Sequence, residues 1–182
     1  WQLKMTKGII VIGGHVQGLG ITRIFGKNKI PVIVLDYNRY NIAKHSKYCM
    51  NFFLYRKESL LSFLISDELT KKYSNWLIFP TDDEDVRLLS ENKETLEHYY
   101  KLSTCEWNII SKFYNKINTY HICEKLGINI PKTFYPKDLD DIKKTQINYP
   151  VIIKPAVMHT FYKKTKKKVF LCNNGRDLIS NY

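Results

Sequence analysis

The stretch Tyr149-Pro150-Val151-Ile152-Ile153-Lys154-Pro155-Ala156 places a lysine directly after an apolar run. The run predicts a strand covered on both faces, and Pro155 ends it, so Lys154 lies at the carboxyl end of the strand. A lysine in that place can hold a polyphosphate, because lysine serves many phosphate sites as a point charge. The alternative is that Lys154 only extends into solvent, as most lysines do.

A basic loop follows this strand. It reads Lys163-Lys164-Thr165-Lys166-Lys167-Lys168 and leads into a second predicted strand, 168–172. A turn at 173–175 precedes a helix that starts at Asp177 and is still in progress at Tyr182. Because a strand and a helix begin so late, we expect the chain to be the front part of a longer protein.

The first forty residues predict a βαβ unit. A strand over 8–14 ends in paired glycines, a helix runs to about Lys27, and a second apolar strand, 30–36, ends in an acid. This order is typical of a Rossmann-like, doubly wound parallel sheet. The glycines do not have the G-x-G-x-x-G spacing of a dinucleotide site. They either permit a tight turn and close packing or contact a ligand, and Gly14, His15 and Gly18 are the candidate substrate contacts.

A second set of candidate contacts follows a later strand. A helix is predicted from Leu60 to about Lys72 and a strand over 76–80, and the chain then reads Thr81-Asp82-Asp83-Glu84. Thr81 and Glu84 have the spacing of a capping box, which would explain the acids as helix initiation. Ligands of open α/β sheets lie at the carboxyl ends of strands, so Thr81, Asp82 and Asp83 are also candidate substrate contacts. We interpret 99–107 as a connecting segment and end the first domain at residue 108.

Composition limits the class of protein. The chain has 182 residues, 44% of them hydrophobic, which is enough for at least one buried core. It contains neither a long apolar run nor a secretion signal. The four cysteines are scattered without metal-ligand spacing, which favours free thiols and a cytoplasmic location. The net charge of +12 attracts nucleotides, nucleic acid or acidic substrates without choosing among them.

The second part of the chain, 109–182, is predicted to be α+β. Residues 109–126 form a helix that contains Asn115-Lys116, and Gly127 caps it. An extended segment over 128–133 and a helix over 138–145 lead to the lysine strand.

This succession resembles the ATP-grasp superfamily, in which a Rossmann-like pre-ATP-grasp domain precedes a nucleotide-binding domain. The resemblance rests on Asn115-Lys116, on Gly127-Ile128-Asn129-Ile130-Pro131-Lys132-Thr133, and on the lysine strand, which together are similar to the family's D-K, G-I-P-x-P-x-T and Y-P-V-I-x-K-P motifs. The segments 81–89, 91–96 and 167–170 are similar to the D-aspartate ligase-like and carbamoyl-phosphate-synthase-like branches. The resemblance extends from Ile9 to the end of the chain.

The resemblance implies three ATP-binding lysines. Lys116 matches the first phosphate-side lysine, although Asn115 replaces the usual acid before it. Lys154 matches the lysine that holds phosphate oxygens, and Lys168 is the third candidate. The glycine-rich flap of many relatives is replaced by 158–167, so closure would depend on lysine side chains, unless this loop is only solvated.

The resemblance also implies a reaction. A carboxylate is activated by ATP as an acyl phosphate and is joined to an amine, with Mg²⁺ and lysines neutralising the charge. The family's magnesium-binding carboxylates and asparagine, and the floor of its ATP site, lie in a C-terminal half outside these residues. The resemblance therefore implies no catalytic or metal residue here and no activity of this part alone. The implied partners are small-molecule carboxylates and amines, amino acids among them, and a second copy in a homodimer. Neither a membrane nor nucleic acid is expected.

Two other functions stay open. A non-catalytic nucleotide-binding protein would need only the turn over 13–20. A basic nucleic-acid-binding protein would use the loop over 163–168, with Phe161, Tyr162 and Phe170 as stacking surfaces.

Overall fold

The computed structural model of the protein describes residues 7–156 and 165–182. The chain divides into two compact units between Ser111 and Lys112, within the helix Trp107–Tyr114 (α6). Among the described residues, no helix combines the length and the apolar character needed to cross a membrane. The domain identities assigned from the sequence stay predictions.

The first unit is built on a five-stranded sheet in which every strand pair is parallel. Its strands are Ile9–Ile12 (β1), Val32–Asp36 (β2), Cys49–Leu54 (β3), Leu77–Pro80 (β4) and Lys101–Leu102 (β5). Their order is β3-β2-β1-β4-β5. The predicted Rossmann-like parallel α/β fold is therefore confirmed.

Helices cover both faces of this sheet. They are Val16–Lys27 (α1), Leu60–Leu64 (α2), Asp67–Tyr73 (α3), Asp83–Glu91 (α4) and Lys93–Leu96 (α5), with 3-10 turns at Ala43–His45 and Lys57–Ser59. Ile10 and Ile12 pack with apolar residues of α2 to α5, whereas Ile9 and Val11 pack with those of α1. Because side chains alternate along a strand, burial on both faces explains why β1 and β2 are apolar throughout.

Three predictions for this unit were incomplete. The strand β3 was not predicted, and β5 lies within the segment interpreted as a connection. The helix predicted over 60–72 is two helices, because Ser66 has an extended backbone and its hydroxyl donates to the Phe63 carbonyl oxygen. Ser66 thus precedes a new helix that begins with the acids Asp67 and Glu68.

The second unit contains helices and a two-stranded antiparallel sheet. The helices are Lys116–Lys125 (α7), Leu139–Lys144 (α8) and Gly175–Asn181 (α9), and the strands are Val151–Ile153 (β6) and Phe170–Cys172 (β7). Ile142 of α8 and Leu178 of α9 pack with Cys172 in a small core. Gly127, with a φ of 68°, ends α7 as predicted, and the amide of Ile128 donates to the Cys123 carbonyl oxygen.

Within the described residues, the lysine strand is covered on one face only, whereas the sequence predicted burial on both. Val151 and Ile153 pack on the core side, whereas Ile152 and its cross-strand partner Leu171 are 53% and 60% exposed. The sheet has two strands, and the helix residues in its core contact only the side that carries Val151 and Ile153. An apolar run alone does not reveal whether a second layer exists to cover it.

Candidate functional site

The carboxyl ends of β1, β2 and β4 meet at one edge of the first unit's sheet. The chain runs from β1 outward to β2 and β3, then returns to place β4 on the other side of β1. This reversal between β1 and β4 is the topological switch point at which open α/β sheets bind ligands. The candidate contacts Gly14, His15 and Gly18 follow β1, and Thr81, Asp82 and Asp83 follow β4.

Asp36, at the end of β2, holds the glycine turn. Its carboxylate accepts the Gly14 amide at 2.7 Å and the Asn38 amide at 2.7 Å, and the residue is only 5% exposed. The Gly14 carbonyl oxygen accepts the amides of Ile42 and Ala43. The amide and the carbonyl oxygen of Gly14 are therefore both hydrogen-bonded within the protein. A Cβ at this position would collide with the Asn41 side chain. A contact of Gly14 with substrate stays a prediction.

Thr81 joins the two sides of the switch point. Its hydroxyl donates to the Ile12 carbonyl oxygen at 2.7 Å and lies 2.9 Å from Nε2 of His15. Because the single hydroxyl hydrogen is directed at Ile12, the bond to His15 is satisfied when its Nε2–H donates to Thr81. The pair is thus a positioning contact between the two sides of the switch point.

The predicted capping box at Thr81 and Glu84 is wrong. Asp82 is the N-cap of α4, and its Oδ1 accepts the Asp85 amide at 2.8 Å. The start of the helix is shifted by one residue because the Thr81 hydroxyl is already bonded across the sheet to Ile12. Asp83 and Glu84 remain in the first turn, where they complement the helix dipole.

A shallow groove of about 340 Å³ lies beside these residues. Its apolar lining consists of Ile21, Pro80 and Val86, and its polar lining of Gln17, Thr81, Asp82 and Asp83. Three of the candidate contacts, Thr81, Asp82 and Asp83, are therefore brought together in one concave surface. His15 contacts that surface through Thr81, whereas Gly18 is buried within α1.

Asp85 is the residue that the sequence analysis missed. It is only 9% exposed, and its carboxyl group forms no hydrogen bond or ion pair with the described part of the chain. Burial raises the pKa of Asp85 to about 7, repulsion by Asp82, Asp36 and Glu84 adds to the rise, and Lys57 opposes it. In the sequence it is one of several acids in the first turn of α4, and nothing in that run distinguishes it from Asp83 and Glu84.

In the second unit, the structure brings Lys116 to the end of the lysine strand. The Lys116 amide donates to the Ala156 carbonyl oxygen at 3.2 Å, so the first residue of α7 lies beside the segment that follows Lys154. Asn115 is the N-cap of α7, and its side chain accepts the Ile117 amide at 2.9 Å. The single helix predicted over 109–126 is therefore two helices, α6 and α7, with Asn115 between them.

Lys168 lies at the same end of the small sheet as Lys154. Ile153 pairs with Phe170, Lys154 follows Ile153, and Lys168 precedes Phe170 by two residues. Both side chains are exposed. The loop predicted to close over phosphate lies mostly outside the described residues, and this includes His159, Phe161, Tyr162, Lys163 and Lys164.

The described residues contain no group of three or more His, Cys, Asp or Glu side chains that could hold a metal ion. The donor set in the second unit consists of lysine ammonium groups and backbone amides, which suit an anion. We therefore derive no step through Mg²⁺ from these residues.

Comparison with known proteins identifies the fold. No family model matches the chain. A curated D-aspartate ligase of Enterococcus faecium (strain Aus0004) is 22% identical over 98 residues, which are 51% of this chain and 23% of the ligase. The L-amino acid ligase from Bacillus licheniformis matches with a TM-score of 0.71 at 13% identity, over 98% of this chain and 42% of that one.

The N5-carboxyaminoimidazole synthetase from Staphylococcus aureus, crystallised with ADP, matches with a TM-score of 0.66 at 19% identity. The match covers 99% of this chain and 45% of the synthetase. The chain thus spans less than half the length of the proteins it matches. The resemblance to ATP-grasp ligases is confirmed, and at these identities it establishes the fold.

Gly18 and Gly20 of α1 give a matched pair of substitutions. A Cβ on Gly18 would overlap the Gly13 carbonyl group, whereas a Cβ on Gly20 has open space for 4 Å. We expect Gly18→Ala to lower the free energy of unfolding by about 1–3 kcal/mol through overpacking. Gly20→Ala should raise it by about 0.5–1 kcal/mol, because alanine favours the helix. Urea denaturation of both variants checks this, and equal effects would contradict the close approach of α1 to the turn.

Asp85 predicts a pH dependence of stability. Because the folded state raises the pKa of Asp85 from 3.8 to about 7, folding favours the protonated form, and stability is lost as pH rises from about 4 to 7. Asp85→Asn should therefore become more stable than the parent protein as pH rises, by up to about 4 kcal/mol at pH 8. Urea denaturation at several pH values measures the difference. The exposed neighbour Asp83→Asn should show little trend, and parallel curves for Asp85→Asn would refute the prediction.

Proposed function

We propose, from the ATP-grasp fold of this chain, that it forms the nucleotide-binding front part of an ATP-dependent ligase that joins a carboxylate to an amine. The observation that carries the proposal is the hydrogen bond between the Lys116 amide and the Ala156 carbonyl oxygen, since it places the first residue of α7 beside the segment that follows Lys154. Lys168 extends from the same end of the sheet. The candidate contacts that follow β1 and β4 in the first unit would bind the carboxylate and amine substrates.

The positive groups suit a polyphosphate. Lys116 is the first residue of α7, a ten-residue helix, so its ammonium group adds to the positive end of the helix dipole. Lys154 is exposed directly after β6 and is free to approach the same anion. A hydrogen bond between a charged donor and a charged acceptor contributes about 1.5–3 kcal/mol, so two or three lysines supply most of what micromolar binding requires.

The exposed apolar face of the small sheet suits a nucleotide base. Ile152 and Leu171 are neighbours across the two strands, and both are more than half exposed. Lys154 directly follows the strand that carries Ile152, so its ammonium group starts from the same end of the small sheet. A flat base over Ile152 and Leu171 would remove apolar surface from water at about 25 cal/mol per Å².

The bound ATP would supply the phosphoryl group that activates the carboxylate. The proposed work of this chain is to hold the phosphates and to neutralise their charge, which is the main protein contribution to phosphoryl transfer. No protein nucleophile is needed, and Thr81, whose hydroxyl donates to Ile12, is not activated by His15. Mg²⁺ is implied by the fold family, and the described residues contain no group of three or more His, Cys, Asp or Glu side chains that could hold it.

Nucleic-acid binding is less well supported. Phe170 packs against the core residues of the second unit, and the Lys167 ammonium lies 5.0 Å from the centre of its ring. This ring is thus already covered on two sides. The other proposed stacking residues, Phe161 and Tyr162, lie outside the described part of the chain.

Removal of Lys154 tests the ATP site. Lys154→Ala should weaken ATP binding by at least tenfold, because a charge-assisted hydrogen bond worth about 1.5–3 kcal/mol is lost. Isothermal titration calorimetry at physiological salt measures the change. Lys144→Ala, which removes an exposed lysine at the end of α8, is the control and should bind ATP normally. Equal affinities of the two variants would contradict the site.

The ligase reaction is tested with the full-length protein by ADP release from Mg-ATP across a panel of amino acids and small carboxylates, since no activity is expected of these residues alone. Release that depends on an amino acid and is lost in Lys154→Ala supports the reaction. Release that no carboxylate or amine stimulates, by a protein that binds ATP, would favour a non-catalytic nucleotide-binding role.

A further inference from the structure

The groove between α1 and α4 has an apolar and acidic lining, which would favour an amine substrate over a carboxylate substrate. Its apolar lining includes Ile21 and Val86, and its acidic lining consists of Asp82 and Asp83. No lysine or arginine is among its lining residues in the described part of the chain, although the whole protein carries a net charge of +12. A carboxylate or phosphate would be repelled there, whereas an ammonium group would find acceptors.

The acceptors are available. One oxygen of Asp82 accepts the Asp85 amide in the helix cap, which leaves its other oxygen for a ligand. Asp83 is exposed and makes no hydrogen bond or ion pair within the described residues. The positive end of α4 amounts to about half an elementary charge, which is less than the charge of the two carboxylates. The local potential of the groove is therefore negative.

Asp85 does not line the groove, but the acids around it act on its carboxyl group as well. It is nine-tenths buried and unpartnered within the described chain, and Asp82, which lines the groove, is the charged group that most raises its pKa. Asp36, Glu84 and Lys57 also act on it, and of these only Lys57 is positive. The Lys57 ammonium lies 4.5 Å from the centre of the Tyr37 ring and forms no ion pair with these acids among the described residues. A cation held by Asp82 would offset this excess of negative charge.

We propose that the groove between α1 and α4 binds the ammonium group of an amine substrate that carries a small apolar end. The ammonium group contacts Asp82 and Asp83, the Gln17 side chain supplies a further polar contact, and the apolar end lies on Ile21 and Val86. The groove volume of about 340 Å³ is at the lower limit of small-molecule sites, which favours a ligand of amino-acid size. This inference rests on the proposed ligase function and assigns the amine, rather than the carboxylate, to the first unit.

The test compares two probes of opposite charge. Isoamylamine and 4-methylpentanoate share a branched apolar end, and each is titrated into the protein at physiological salt while the methyl NMR signals of Ile21 and Val86 are recorded. The amine should shift both signals to saturation, and the acid should not. Equal responses to the two probes, or saturation by the amine without a shift of either signal, would overturn the proposal.

Variants separate charge from shape. Asp82→Asn with Asp83→Asn keeps a side chain able to cap α4, removes both charges, and should weaken amine binding at least fivefold. Val86→Phe fills the groove and should do the same without changing the charge. Asp67→Asn, which removes an exposed acid on α3, is the control and should bind normally. Unchanged binding by both groove variants would refute the site.

ATP binding by the same samples distinguishes this inference from the proposed function. The groove variants should bind ATP as the parent protein does, since their changes lie in the first unit. If ATP binds and the amine does not, the groove assignment fails while the ligase proposal stands. If the parent protein does not bind ATP, the ligase proposal fails, and with it the assignment of the amine as a ligase substrate.

Discussion

The hydrogen bond from the Gly14 amide to the Asp36 carboxylate is the contact on which the edge of the first unit depends. It joins the end of β1 to the end of β2 across a nearly buried acid. A hydrogen bond to a charged group contributes about 1.5–3 kcal/mol, and its loss would leave one oxygen of a buried carboxylate without its partner. Because this bond sets the path of the glycine turn, it also sets where α1 begins and where His15 meets Thr81.

The same bond explains why the turn differs from a dinucleotide site. In such a site the acid after the second strand is available to a ribose, and the glycines leave space for phosphate. Here Asp36 accepts two backbone amides, Asn41 fills the space beside Gly14, and the Gly13 carbonyl group fills the space beside Gly18. The turn is closed by its own residues, so the open surface of this edge is the groove beside α4.

The two units present opposite charges at their candidate sites. Exposed lysines gather at one end of the small sheet in the second unit, and acids line the groove in the first. The net charge of the protein predicts the local charge of neither site, because lysines spread over the whole chain do not reveal where acids are concentrated. Local charge decides which end of a substrate each surface accepts, since exposed charges beyond about 8 Å are largely screened at physiological salt.

The sequence by itself determined the local elements. The β1-α1-β2 unit follows from apolar runs and glycines, and Gly127 ends α7, because these signals lie within a few neighbouring residues. The edge strand β3 has Met50, Asn51 and Leu54 exposed and lacks a clear period, and β5 has only two residues, so neither was predicted. Tertiary structure decided the rest. Thr81 is prevented from capping α4 by a bond to Ile12, 69 residues away, and Lys116 reaches the lysine strand through Ala156. Asp85 is buried and is repelled by Asp36, which is distant in sequence, and Ile152 is exposed because no layer of the described residues covers it. Such relations between distant parts of the chain leave no local pattern in the sequence.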